Sequence, residues 1–180
     1  FHDYRGYAGR AAGGVFRKGD KVTVLPSMLG STIKSIDLYK DTIESAYAPM
    51  SVTITLNDDI DISRGDMLVK EENMPQLTQD IDLMVCWMNE KPLQVNGKYT
   101  VKHTTRDVRC IVKEVKYKVN VNNLEQIEGD LNVGLNDIAC ISIRTTKPLF
   151  VDPYKKNRRT GALIIIDEAT NNTIGVGMVL

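Results

Sequence analysis

Apolar and polar positions alternate in short runs along most of this chain, and the runs are separated by glycine, proline, asparagine and aspartate at intervals of roughly 8 to 12 residues. In the first half the alternating runs are Lys21 to Leu25, Ser31 to Leu38, Ser51 to Leu56 and Met67 to Lys70. Lys18-Gly19-Asp20, Pro26 to Gly30 and Arg64-Gly65-Asp66 supply turn chemistry before or between them. Period-2 alternation puts successive side chains on opposite faces of an extended chain, so each run predicts a strand with one face inward. No stretch of this half carries the 3.6-residue period of a long helix.

The second half repeats the pattern with longer runs. Asp82 to Met88 reads as a buried strand, Asn96-Gly97-Lys98 as a hairpin-type turn and Tyr99 to His103 as the strand after it. From Asp107 to Val121 the apolar set is Val108, Cys110, Val112, Val115, Tyr117, Val119 and Val121. Its phase slips once near Lys113 and Glu114, which predicts a β-bulge there. Asp137 to Thr145 is a further strand. The longest aliphatic run, Leu163 to Ile166, is separated by the turn-forming Asp167 to Asn172 from a second apolar run, Thr173 to Val179. We expect an antiparallel pair here, with the aliphatic run covered on both faces. Gly175 and Gly177 on alternate positions leave room for a neighbouring strand or a sharp bend, as at a barrel closure.

Between the halves, Glu71 to Asp80 is polar, contains one proline and has no periodicity. A linker at 73–80 divides the chain into β units of six or seven strands at 1–72 and 81–180. The fold class expected is all-β, two consecutive small antiparallel β-barrels.

Composition narrows function mostly by exclusion. Lys plus Arg and Asp plus Glu each number 23 in 180 residues, so there is no net field of the kind that draws a protein to nucleic acid or to a membrane surface. No apolar run approaches the roughly 20 residues needed to span a bilayer. Cys86, Cys110 and Cys140 are odd in number, widely spaced and set in apolar stretches. We expect buried thiols in a reducing, cytoplasmic setting. The chain opens at Phe1 rather than at a methionine, which points to a segment of a longer polypeptide.

Few residues carry candidate chemistry. Gly9 and Gly14 have the spacing of a phosphate-binding loop, but Val15 and Phe16 follow where that loop needs Lys-Ser or Lys-Thr. Asp58, Asp59 and Asp61 lack the glycine and the later glutamate of a calcium loop and read as a solvated turn. His2 and His103, the two histidines, have no cysteine or histidine at ligand spacing, and His103 is expected at the surface. No catalytic, cofactor or metal residue is assigned. The remaining candidate is the compact basic group Lys155, Lys156, Arg158 and Arg159, a contact for an anion or a partner because clustered guanidiniums favour carboxylate and phosphate. Asn157, Thr160 and Gly161 supply turn chemistry that would hold this loop in one shape.

The segments RGYAGRAAGGVFRKGDKVTVLP, SVTITL and DISRGDMLV resemble the second domain of translational GTPases of the elongation factor Tu class. The second half is similar to their third domain. MVCWMNEKPL, KYTVKHTTRDVRC, VNNLE, LNDIACI, PLFVDPY and NRRTGALIIIDEATNNTIGVGM resemble, within that superfamily, the large GTP-binding subunit of bacterial sulfate adenylyltransferase. Ile138-Ala139 departs mildly from the Ile-Gly common there. The resemblance spans essentially the whole chain. It implies that a guanine-nucleotide domain holding GTP and Mg lies upstream, with no cofactor in this segment, and that the first barrel begins with a strand before Phe1. It further implies two partners, the catalytic small subunit and the polypeptide's own N-terminal GTPase domain. The barrels would couple GTP hydrolysis to synthesis of adenosine 5′-phosphosulfate from ATP and sulfate. The alternative implied by the wider superfamily is a pair of tRNA-binding barrels from an elongation factor.

Overall fold

The computed structural model describes residues 4–180, and His2 lies outside them. Strands and turns make up nearly all of it, with one 3-10 turn at Glu71–Asn73. Two units divide between Met74 and Pro75.

Unit 1 contains β1 (Tyr7–Arg10), β2 (Val15–Arg17), β3 (Lys21–Leu25), β4 (Leu29–Leu38), β5 (Asp41–Ile43), β6 (Ser45–Tyr47), β7 (Ser51–Leu56) and β8 (Met67–Val69). An antiparallel sheet runs in the order β1-β7-β4-β3-β8, with β5 also on β4, while β2 and β6 pair as a separate ribbon. Val22, Val24, Ile33, Ile36, Ile54 and Leu56 form the core, and Phe16 and Ala46 of the ribbon pack into the same cluster. The ribbon therefore covers the interior of the curled sheet, which is how the alternation of β3, β4 and β7 gets its dry side.

Unit 2 contains β9 (Gln76–Trp87), β10 (Lys98–His103), β11 (Arg106–Val119), β12 (Gln126–Ile127), β13 (Ile138–Val151), β14 (Ala162–Ile166) and β15 (Thr173–Val179). The ladder β10-β14-β15-β9-β13-β11 closes on itself through β10–β11, from Lys98 opposite Ile111 to His103 opposite Arg106. The result is a six-stranded barrel with β12 added outside β11. Trp87, Leu83, Val85, Val101, Val112, Ile141, Ile143, Leu163 and Ile165 fill its interior. Trp87 meets Tyr99 edge to face at 5.7 Å, and its Nε1 donates to Lys91 O at 2.8 Å. The register of β11 on β13 shifts between Val112 and Glu114, where the phase slip predicted a bulge, and again between Val115 and Tyr117.

Several expectations are corrected. The stretch expected as a linker at 73–80 is from Gln76 onward the start of β9, where Gln76, Leu77 and Thr78 pair with Val151, Phe150 and Leu149. Its polarity reflects an exposed outer stretch of a long strand rather than a tether. Leu163–Ile166 is not covered on both faces: Leu163 and Ile165 are buried, but Ile164 and Ile166 are half-buried and point outward. Cys110 and Cys140 are buried, whereas Cys86 is only partly so. His103 is not a surface residue but 1 % exposed, because the alternation of β10 turns it inward with Tyr99 and Val101.

The two glycines of β15 have a packing cause. A Cβ on Gly175 would stand 3.3 Å from Trp87 Cε3, and one on Gly177 would stand 3.2 Å from Leu163 Cδ1. They let large side chains of adjoining strands reach the barrel axis.

Candidate functional site: an anchored basic loop beside an apolar barrel face

The four basic residues lie on the loop between β13 and β14, and that loop is tied down at every stage. Tyr154 N donates to Val179 O at 2.9 Å and Val179 N to Gly161 O at 2.8 Å, so both ends are hydrogen-bonded to the last strand. Within it, Asn157 N donates to Pro153 O at 3.1 Å, Gly161 N to Asn157 O at 2.8 Å and Arg159 N to Asn157 Oδ1 at 3.0 Å. A Cβ on Gly161 would lie 2.5 Å from Tyr154 Cα, which is why the turn needs glycine there.

Buried polar groups hold the base. Asp152, 7 % exposed, accepts from Thr160 Oγ1 at 2.7 Å and from Lys156 Nζ at 2.8 Å. His103 Nε2 donates to Thr160 O at 2.7 Å, the role fixed by the acceptor-only carbonyl. Burial lowers the His103 pKa, opposed by the Thr160 carbonyl and Asp152 and reinforced by Arg106. His103 is therefore a neutral brace for the loop, a function missed in the sequence because a lone histidine ending an alternating run carries no distinguishing signal.

The four candidate cations are thus not equivalent. Lys156 is engaged with Asp152 and is partly structural. Arg158 lies over the Tyr154 ring, 6.0 Å from its centroid, while Lys155 and Arg159 are exposed. Among the described residues only Lys156 of the four makes an ion pair. A rigid loop with uncompensated cations is prepared for an anionic group, since little side-chain and backbone freedom remains to be lost on contact.

Next to the loop the barrel's outer surface is unexpectedly apolar. The strand registers line up Lys102, Ile164, Val176, Cys86 and Ile138 in one row across five strands. A second row runs Ala162, Met178, Met84, Cys140 and Tyr117. Val176 and Met178 are 41 % and 40 % exposed. Outward positions of a water-facing barrel are normally polar, so two adjacent rows that are apolar apart from Lys102 signal an interaction surface, with Cys140 covered by its neighbours. Between them runs a groove of about 480 Å³ whose walls include Tyr154, Lys102 and Thr104. Tyr154 joins the two features, lining the groove and carrying Arg158 on its ring.

The other candidates do not come together with this site. Asp59 and Asp61 pair with Arg5, and Asp58 accepts from Ser31 Oγ at 2.7 Å. Among the described residues no three His, Cys, Asp or Glu side chains are grouped to hold a metal ion. The glycine-rich segment does not fit GTP: Gly14 turns at φ +69° into β2, a strand, so the helix N-terminus that cradles phosphates is missing.

The GTP-eEF1A C-terminal domain-like family model matches residues 80–180, which is the closed barrel with its basic loop and apolar face. The chain belongs to this family. Over 99 % of its length it is 44 % identical to the sulfate adenylyltransferase subunit 1 of Bacteroides thetaiotaomicron, covering 38 % of that protein. It is equally 44 % identical over 99 % of its length to the bifunctional enzyme CysN/CysC of Mycobacterium tuberculosis, covering 29 % of it. The chain thus spans less than two fifths of these relatives. A solved structure of Sup35 complexed with GDP aligns over 98 % of the chain and 45 % of its own length, with a TM-score of 0.85 at 16 % identity, a likeness of fold. The resemblance to the large sulfate adenylyltransferase subunit and the all-β class of two barrel units are both borne out. Among the described residues no helix is long and apolar enough to cross a membrane.

Proposed function

We propose that the chain is the C-terminal region of a sulfate adenylyltransferase GTP-binding subunit, which couples GTP hydrolysis to formation of adenosine 5′-phosphosulfate from ATP and sulfate. In this reading the chain performs no bond-making itself. It provides docking surfaces for the catalytic subunit and for the GTP-binding domain of its own polypeptide, where GTP and Mg would be held. Its two units act as domains that join near Met74 and Pro75, in a cytoplasmic, thiol-reducing setting that suits three free cysteines.

The observation that carries the reading is the pair of apolar rows on the outside of the closed barrel, next to a loop whose cations are held in place. A barrel that only needed to fold would have polar side chains at Ile164, Val176, Met84 and Met178. An apolar floor with a cationic wall fits an aliphatic protein surface edged with carboxylates, and burying the floor would contribute roughly 25 cal/mol per Å² removed from water. The relatives named as subunit 1 favour this reading over tRNA-binding barrels, and the balanced charge points the same way.

The test uses the full-length polypeptide with its catalytic subunit. GTP should accelerate adenosine 5′-phosphosulfate synthesis, and V176D with M178D should abolish that acceleration while circular dichroism stays unchanged. A wild-type protein that leaves the partner's rate indifferent to GTP overturns the proposal.

A further inference from the structure

Among the described residues seven non-glycine residues hold positive φ, and three of them are asparagine, the residue that tolerates this region best. Leu124, at φ 63°, has neither that tolerance nor a buried environment: it is 76 % exposed at the tip of the turn joining β11 to β12. Two features unfavourable to folding thus coincide on this side chain, a left-handed backbone at a bulky residue and an apolar side chain held in water, as they also do at Met28 and Tyr39.

The turn leaves that backbone little choice. Leu124 N donates to Asn120 O at 2.8 Å and Asn120 N to Glu125 O at 2.9 Å. Asn122 N donates to Asn120 Oδ1 at 2.9 Å, Glu125 N to Asn123 Oδ1 at 3.1 Å and Asn123 Nδ2 to Glu125 Oε2 at 2.7 Å. Val121, 58 % exposed, stands on the same turn. Strain that persists because the surroundings impose it is a pointer to function, and here the hydrogen bonds build a rigid convex knob tipped with aliphatic carbon.

Charge indicates what the knob enters. Asp130 is neutralised by Lys118 at 3.0 Å, but Glu125 and Glu128 are exposed and have no ion pair among the described residues. We propose that the Asn120–Glu125 turn is a docking knob, inserting Leu124 and Val121 into an apolar pocket rimmed by lysine or arginine on the catalytic subunit. This rests on the reading that the chain docks on that subunit, and it names a surface separate from the apolar rows around Val176. Rigid preorganisation lowers the ordering cost of association, and a buried aliphatic anchor typically dominates the affinity of such a contact.

The experiment is isothermal titration calorimetry of the catalytic subunit with the full-length GTP-binding polypeptide and its variants, together with melting curves. Leu124→Gly accepts the positive φ, so its Tm should stay within about 4 °C of the wild type, while its affinity falls at least tenfold. Glu125→Lys should also weaken binding, more so at low salt. The same change to glycine at Met28, another exposed residue at positive φ (60 % exposed, φ 61°), should leave affinity unchanged. Wild-type affinity in Leu124→Gly, or an equal loss in Met28→Gly, overturns the knob while leaving the docking reading standing. A wild-type polypeptide that does not bind the catalytic subunit overturns both.

Discussion

The two units solve the same problem, a small all-β core, in different ways. Unit 2 closes its ladder, so each of the six barrel strands has a hydrogen-bonded neighbour on both sides, and 21 buried hydrophobic side chains lie in its core among the described residues. In unit 1, among the described residues, β1 and β8 each pair on one side alone, and the β2–β6 ribbon covers the interior over nine such side chains. Strand length separates them: β9, β11 and β13 run 12 to 14 residues, while only β4 of unit 1 reaches 10. Long strands can bend at bulges, as β11 does twice, and so travel round a barrel. Short strands cannot, and β1 and β8 of unit 1 are only four and three residues long. The closed barrel is thereby free to carry a loop and an outer face that do not serve folding.

The strongest test of this contrast is Trp87→Ala. Removing the largest buried side chain of unit 2 should cost about 3–5 kcal/mol and speed hydrogen exchange throughout β9 to β15, with protection in β3 and β4 unchanged. Equal loss of protection in β3 and β4 breaks the idea that each core stands on its own. Next in size is Gly161→Ala, which presses a Cβ onto the Tyr154 backbone and should cost about 1–3 kcal/mol. Its counterpart in unit 1, Gly9→Ala, meets nothing within 4 Å and should be neutral or stabilise by about 0.5 kcal/mol. Chemical denaturation of the two variants measures the difference; similar costs would remove the distinction between a constrained loop and an open strand.

A smaller effect concerns pH. Because burial holds the His103 pKa below its ordinary value, the unfolded chain takes up the proton first as pH falls. The neutral histidine's contribution is complete above about pH 6.5 and is lost as pH drops below it toward the folded pKa. The urea midpoint of unit 2 should fall between pH 7 and 5, and His103→Asn should flatten that slope. A wild-type midpoint that rises over this interval contradicts the assignment. Smallest of all is Arg158→Ala with Arg159→Ala, expected to change stability by no more than about 0.5 kcal/mol. A larger loss in thermal melts would make these arginines part of the fold instead of a surface prepared for a partner.

Much of the fold was legible where residues alternate against water. Lys21–Leu25 and Ser51–Leu56 emerged as strands with the bounds expected of them, and the slip near Lys113 marked a real bulge. The misreadings share a cause: a strand's surroundings lie on other strands. The polar start of β9 looked like a tether because its partner, Leu149–Val151, is some 70 residues away in the chain. Ile164 and Ile166 looked buried because an aliphatic run gives no sign that one face is left open. At the candidate site the basic cluster was visible, but the division of labour within it was not, since Asp152, Thr160 and His103 meet only when β10, β13 and β14 are adjacent.

By itself, then, the order of residues determined an all-β chain in two parts, the turns that punctuate it and the loop that concentrates its positive charge. These are local properties, set by side-chain period and by which residues tolerate a turn. Closure of the second ladder, the inward turn of His103 and the two apolar rows were decided by the tertiary structure. Each depends on which strands become neighbours and in what register, and register is a property of pairs that no single stretch of sequence contains.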